Sequence, residues 1–281
     1  MKILRFRKDN EIKPGVLNNN KQIIDLSSII NDWDRNTLIH KNIEKIKNYN
    51  LSELPVIDKN YSLAPCVGNS GKFVCVGLNY ADHAKEVKIQ SVKNSEGPTI
   101  FMKATSSIVG PNDNIEIPKN SIKTDWEVEL GIVIGKKGKN IKESEAINYI
   151  LGYCIINDIS ERSFQLETSG QWVKGKSSDT FGPIGPYIVT KDEIRNPNNL
   201  KIWLEVNSEI MQNSSTKKMI YNVFFIVSYI SKFMSLHPGD IISTGTPHGV
   251  GMGMNPERYL KSGDKMRLGI EGLGEQNQKV I

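Results

Sequence analysis

Apolar positions along the chain gather into short runs rich in Val and Ile, bounded by Gly, Pro, Asn or Asp: FVCVGL, ELGIVIG, YILGYCIIND, GPYIVT, LKIWLEVN and DIISTG. Runs of this length and composition predict strands with few helices between them. Ahead of them, residues 1–65 alternate β-like stretches, Ile3 to Phe6 and Gln22 to Asp25, with polar turns and a helix from about Asn36 to Lys47. That pattern predicts a small N-terminal α/β unit. Leu54, Pro55, Ala64 and Pro65 bracket a stretch without periodic signal, so the boundary falls there and a larger domain occupies 71–281. The most apolar window, Met219 to Leu236, places Ile220, Val223, Phe224, Val227, Ile230 and Phe233 at helical spacing and is broken by Asn222, Ser228, Ser231 and Lys232. It predicts an amphipathic or buried helix rather than a membrane span. The fold class is α+β, dominated by strands.

The strand pattern brings chemistry with it in DWEVELGIVIG, from Asp125 to Gly135. On a strand, Trp126, Val128, Leu130, Ile132 and Ile134 form one apolar face, and Glu127 and Glu129 share the other. Like charges side by side on a half-buried strand are unfavourable unless a cation or basic group compensates. A third acid, Asp158, ends the run YILGYCIIND. Three carboxylates form an all-oxygen donor set suited to Mg²⁺ or Mn²⁺ rather than Zn²⁺. Spacing alone leaves a solvated strand edge equally open.

In GLNYADHAKE, His83 and Glu86 stand three residues apart, on one face if the segment is helical, and Asn79 with Asp82 has the spacing of a capping box. An imidazole oriented by a carboxylate is a general base with its partner. An exposed His beside an exposed Glu fits the same spacing. Arg162 and Gln165, in NDISERSFQ, and Lys176, in a Gly-rich loop, are candidate donors to an anionic substrate. HPGDIISTGTPHGVGMG joins a strand to a Gly-rich loop where backbone N–H groups and the Thr246 hydroxyl could meet a carboxylate; it lacks the ending of a P-loop.

Composition narrows the function classes. The 281 residues carry 36 Lys and Arg against 31 Asp and Glu, a scattered excess of +5 that does not indicate nucleic acid. Cys66, Cys75 and Cys154 have neither an even count nor a CxxC spacing, so no disulfide framework or zinc site is indicated and reduced cytoplasm is the expected compartment. The N-terminus MKILRFRKDN has no signal-peptide core, and no membrane association is expected.

Taken in order, NYADHAKE, FMKATSSIVGP, DWEVELGIVIGK, GYCIINDISERSFQ, GKSSDTFGPIGP and PGDIISTGTPHGVG resemble the fumarylacetoacetate hydrolase family over roughly residues 71–272. The resemblance implies a mixed β-roll catalytic domain whose metal is held by Glu127, Glu129 and Asp158. It further implies that His83 and Glu86 activate water, that Lys176 and Gln165 polarise the substrate, and that Lys103, in FMKATS, and Arg162 lie beside the site. The N-terminal ILRF and KPG elements and the GVGMGMNPERYLKSGD string are similar to a branch of 2,4-dioxo-3-deoxy-L-rhamnonate or L-fuconate hydrolases, whose relatives often carry the label ureidoglycolate lyase. Leu78 departs from the oxaloacetate-decarboxylating branch, where Arg often precedes NYADH. The expectation is a homodimeric, Mg²⁺-dependent hydrolase that cleaves a C–C bond of a small anionic 2,4-dioxo acid to pyruvate and a hydroxy acid. A ureidoglycolate lyase, an oxaloacetate or 2-oxo acid decarboxylase, a hydroxymuconate-type isomerase and a metabolite-binding protein are the alternatives.

Overall fold

The computed structural model describes residues 1–86 and 97–281. A mixed, mostly antiparallel sheet of 12 strands crosses the molecule. Its main path runs Val56–Ile57, Ile23–Asp25, Glu11–Leu17, Lys2–Lys8, Gly182–Thr190, Ile150–Asn157, Val128–Ile134, Ile241–Ser243, Phe73–Gly77 and Thr99–Lys103. A second, antiparallel sheet of four strands is ordered Glu209–Ser215, Lys201–Val206, Lys265–Ile270 and Gly274–Lys279. The β-rich α+β class read from the sequence is the class observed. No helix among the described residues is long and apolar enough to cross a membrane.

The Val128–Ile134 strand divides two cores, which explains its pattern. Trp126, Val128, Leu130, Ile132 and Ile134 point to a core shared with Ile202, Leu204 and Leu268 of the second sheet. On the opposite face Val133 packs with Leu151, Cys154 and Ile156. That second face is apolar at one end and carries Glu127 and Glu129 at the other, so one strand is half core and half site. Gly131 lies between, where an added Cβ would stand 2.8 Å from Cys154 Sγ; a larger residue would wedge the strands apart.

The first 65 residues continue the same sheet, because Lys2 and Ile3 pair with Val189 and Ile188. Their Ile3, Val16, Ile24 and Trp33 share a core with Phe73, Ile156 and Ile188. The Glu11–Leu17 strand escapes the hydrophobic reading because Pro14 interrupts it. Proline is tolerated there because the Ile23–Asp25 strand pairs only with Gly15 to Leu17 and has ended before Pro14. The N-terminal helix spans His40–Lys47 rather than starting near Asn36. Asp34 Oδ1 takes the backbone N–H groups of Asn36 and Thr37 into a turn, a local alternative to helix. In the apolar window the helix is Val223–Phe233, with Asn222 accepting from the Phe224 and Phe225 N–H groups at its start. Ile226 rather than Phe224 completes its buried face, and Ile220 and Phe233 are exposed.

Ile188→Ala is expected to remove about 2–5 kcal/mol of unfolding free energy, since it opens a cavity between the N-terminal strands and the central sheet. Urea denaturation followed by circular dichroism checks it, and an unchanged midpoint would show that this shared core contributes little.

Candidate active site

Four carboxylates gather where the Val128–Ile134 and Ile150–Asn157 strands end. Glu127, Glu129 and Asp158 are buried, and each offers an oxygen within 4.8 Å of the others. Strand pairing sets this arrangement: Val128 opposes Asn157, Asp158 N–H donates to Glu127 O at 2.8 Å, and Asp158 therefore lies beside Glu127. Asp125, two residues before Glu127, is also fully buried.

Three buried cations answer them. Lys176 Nζ lies 2.7 Å from Glu127 Oε2 and 2.8 Å from Asp158 Oδ2. Lys103 Nζ is 2.5 Å from Asp158 Oδ1 and 3.0 Å from the Ile159 carbonyl. Arg162 Nε donates to Asp125 Oδ2 at 2.9 Å, its Nη2 stands 2.7 Å from Glu127 Oε1, and its Nη1 donates to Gln165 Oε1 at 3.1 Å. Glu129 alone makes no ion pair among the described residues; its Oε2 accepts from Ser243 Oγ and from Gly245 N–H at 2.8 Å. The carboxyls separate accordingly. Burial by itself would raise Glu127, but Lys176 and Arg162, with His83, hold it below the usual carboxylate range. Burial raises Glu129 well above that range, and Asp158 and Glu127 push the same way. Burial would likewise lower Lys176, yet Asp158 and Glu127 outweigh it and keep the ammonium charged.

The donor set fits a hard divalent cation. Counting every group as ionised, four carboxylates against three cations leave one negative charge, and the acid without a basic partner, Glu129, is where a positive charge is missing. A cluster made only of carboxylate oxygens, without His or Cys, suits Mg²⁺ or Mn²⁺.

His83 faces the same cleft from the helix Ala81–Glu86. Its Nδ1 is 3.3 Å from Glu86 Oε2, and Gly249 N–H donates to Glu86 Oε1 at 3.0 Å. The Gly-rich loop thus seats the orienting carboxylate, and it must be free of side chains to do so: a Cβ on Gly253 would stand 2.2 Å from Glu86 Cδ. Asn79 does not form the expected capping box. Its amide instead donates to the Tyr221 and Thr244 carbonyls and accepts from Tyr221 N–H, tying the start of the helix to two distant segments.

All ten residues singled out in the sequence converge here, in differing relations to the cleft. Glu127, Glu129, His83, Arg162, Gln165, Lys176 and Thr246 line it; Lys103 lies behind Asp158; Glu86 lies behind His83. Thr246 donates its hydroxyl to Val128 O and accepts from Gln212 Nε2, so that hydroxyl is spent on the fold. The cleft is tight, with a cavity volume of about 40 Å³. Sequence reasoning passed over Asp125, which fixes Arg162 and accepts from the Gly251 and Met252 N–H groups, and Ser243, which holds Glu129. Asp125 was findable, since it has the same odd-numbered strand phase as Glu127 and Glu129. Ser243 carries no such signal.

The family described as fumarylacetoacetate (FAA) hydrolase C-terminal matches residues 72–281. A Burkholderia orbicola protein provisionally named a hydrolase is 49% identical over 281 residues, covering 100% of this chain and 99% of its own. Among solved structures, a fumarylacetoacetate hydrolase from Exiguobacterium antarcticum superimposes with a TM-score of 0.88 at 35% identity, covering 100% of this chain and 99% of that one. A maleylpyruvate hydrolase from Sphingobium sp. SYK-6, in complex with manganese(II) and pyruvate, gives a TM-score of 0.82 at 26% identity with the same coverage.

Two outcomes follow from the raised Glu129 carboxyl. Binding of Mn²⁺ is expected to release a proton and to weaken as pH falls, measured by calorimetry in buffers of different ionisation enthalpy, and Glu129→Gln is expected to abolish it; proton-independent binding would remove Glu129 from the site. In chelator, the stability owed to this carboxyl is present below the ordinary glutamate range and is lost as pH rises through the raised value, so Glu129→Gln is expected to gain on the wild type in thermal melts as pH increases.

Proposed function

Because the chain belongs to the fumarylacetoacetate hydrolase family, we propose that it is a metal-dependent hydrolase cleaving the C3–C4 bond of a 2,4-dioxo acid, with pyruvate as one product. The observation that carries this reading is the meeting of a buried carboxylate trio, in which Glu129 has no basic partner among the described residues, with a His83–Glu86 pair at one cleft. The manganese and pyruvate of the Sphingobium hydrolase support a pyruvate-bearing substrate and a divalent cation here. Glu127, Glu129 and Asp158 would hold Mg²⁺ or Mn²⁺, which supplies Lewis-acid polarisation of the substrate's oxygens.

The chain's own groups divide the remaining work. Glu86 accepts from Nδ1–H of His83, which leaves Nε2 free to take a proton from water. The hydroxide adds at C4, the C3–C4 bond breaks, the acyl fragment leaves as a carboxylic acid, and C3 takes a proton to become the methyl group of pyruvate. Lys176 has two of its three N–H bonds on Glu127 and Asp158, so the third is available to the oxyanion at C4. Gln165 receives Arg162 on its oxygen and keeps its amide N–H groups for the same oxyanion or the substrate carboxylate. A lyase, decarboxylase or isomerase on this site would not need activated water, whereas the His83–Glu86 pair is the geometry of water activation.

His83→Ala is expected to keep Mn²⁺ binding while pyruvate release falls by roughly 10²–10⁴-fold, the range for a general base. Solvent ¹⁸O is expected in the acid product. Full turnover by His83→Ala, or product without ¹⁸O, would refute the hydrolytic reading.

A further inference from the structure

The second sheet reaches the site through one buried amide. In the strand Glu209–Ser215, Gln212 pairs with Leu204 and Ile210 with Glu205, so Met211 is an extra residue and the strand bulges. The bulge turns Met211 and Gln212 inward together, and Gln212 is 0% exposed. Its carbonyl oxygen accepts the Val128 N–H at 3.0 Å. Its two amide N–H bonds go to Thr246 Oγ1 at 2.8 Å and to the Pro247 carbonyl at 2.9 Å. The Thr246 hydroxyl in turn donates to the Val128 carbonyl at 2.9 Å. One side chain thus fixes both backbone polar groups of Val128, the residue between Glu127 and Glu129, together with the loop that follows Thr246.

That loop seats the proposed base. Two residues on from Pro247, Gly249 N–H donates to Glu86, which faces His83 Nδ1. The loop lies directly on the bulge, since a Cβ on Gly249 would stand 2.0 Å from Met211 O. Trp126 Nε1 donates to the Gly249 carbonyl at 2.9 Å, and Asp125 takes the Gly251 and Met252 N–H groups farther along. The carboxylates have supports of their own: Glu127 N–H goes to Asn157 Oδ1, and Glu129 accepts from Ser243 and Gly245. Gln212 is bonded to both halves at once.

We propose that Gln212 is a positioning residue, which ties the carboxylate strand to the loop behind Glu86 and so sets where His83 stands relative to the metal seat. The inference rests on the hydrolase function above, in which His83 activates water. Loss of the amide leaves the carboxylates on their other supports but releases Pro247 and, with it, the Gly249 N–H that holds Glu86. A displacement of about 1 Å at a reacting group costs up to about 100-fold in rate.

The test uses the full chain loaded with Mn²⁺ and two substitutions. Gln212→Met keeps the length without the amide, and Gln212→Glu keeps an acceptor for Val128 N–H but not the amide donors. Pyruvate release is followed from acetylpyruvate or, where it is the better substrate, from a 2,4-dioxo-3-deoxyhexonate. In both variants kcat is expected to fall by about 10- to 100-fold while KM and the Mn²⁺ dissociation constant stay within about threefold. In a Glu86→Gln background, adding Gln212→Met is expected to cost less than about threefold more, because both residues act through the same imidazole. Hydrogen exchange followed by mass spectrometry is expected to quicken at least about tenfold in residues 244–250 and to stay unchanged in the strands Lys201–Val206 and Lys265–Ile270. A purely structural Gln212 would instead give losses that multiply with Glu86→Gln and exchange that quickens across the second sheet. Either result, or a kcat within about threefold of wild type in both variants, overturns the proposal while sparing the hydrolase reading. If Gln212→Met does not fold, Gln212→Glu carries the same comparisons; if neither folds, Gln212 serves stability and the proposal is overturned. If the wild type releases pyruvate from neither acid, the hydrolase reading fails and the exchange pattern decides the proposal by itself.

Discussion

Asp125, Glu127, Glu129 and Asp158 can share one buried cleft only because Lys103, Lys176 and Arg162 are buried with them. An isolated ionised carboxylate in an apolar interior is so unfavourable that it would take up a proton instead. The basic side chains come from three separated parts of the chain, and each carries further contacts that fix where it stands. Much of the architecture follows from that requirement. The short helical segments Arg162–Leu166 and Val173–Lys176 bring two of the cations over the strand ends, and the Thr99–Lys103 strand brings the third from the sheet edge. Removing one member strands its partners: loss of one side of a buried ion pair typically costs about 3–5 kcal/mol. The site and the stability of this end of the sheet are therefore not separable.

The arrangement also sorts the acids by task. Glu127 is held as an anion by two basic neighbours, while Glu129, whose polar contacts among the described residues are Ser243 and a backbone N–H, is pushed well up by burial and by the nearby Asp158 and Glu127. Two glutamates two residues apart on one strand face are thus shifted in opposite directions because, among the described residues, bases reach only one of them. That asymmetry makes the cluster receptive to a divalent ion instead of being already neutralised by the protein.

How much of this is legible in the sequence depends on where the signal sits. The Val128–Ile134 strand is legible because its alternation is strict, and the same alternation places both glutamates together. The ordered motifs carry the rest of the site, since Lys103, Asp158 and His83 are brought together only by strand pairings and loops that no local period encodes. What stays hidden is structure made by polar residues. Gly274–Lys279, GEQNQK, has no hydrophobic pattern, yet it is a strand because its inward residues are amides: Gln276 donates to the Ile155 and Gly185 carbonyls, and Gln278 binds Asn157 and the Pro111 carbonyl. The failed capping box at Asn79 has the same origin, a polar side chain drawn to a distant backbone rather than to its own helix.

That amide-lined strand bears on how the protein is made. Gln278 accepts from the Asn157 side chain, whose own oxygen receives the Glu127 N–H, and Asp158 is the next residue. A chain still emerging from the ribosome lacks this last brace until residues 274–279 are free to pair, well after every carboxylate and lysine of the cleft has been synthesised. During that interval the acidic strand ends are present without their full scaffold, and the nascent chain has to keep them solvated or shielded. The support beneath Glu127 therefore depends on a pairing between residues 121 positions apart in the chain.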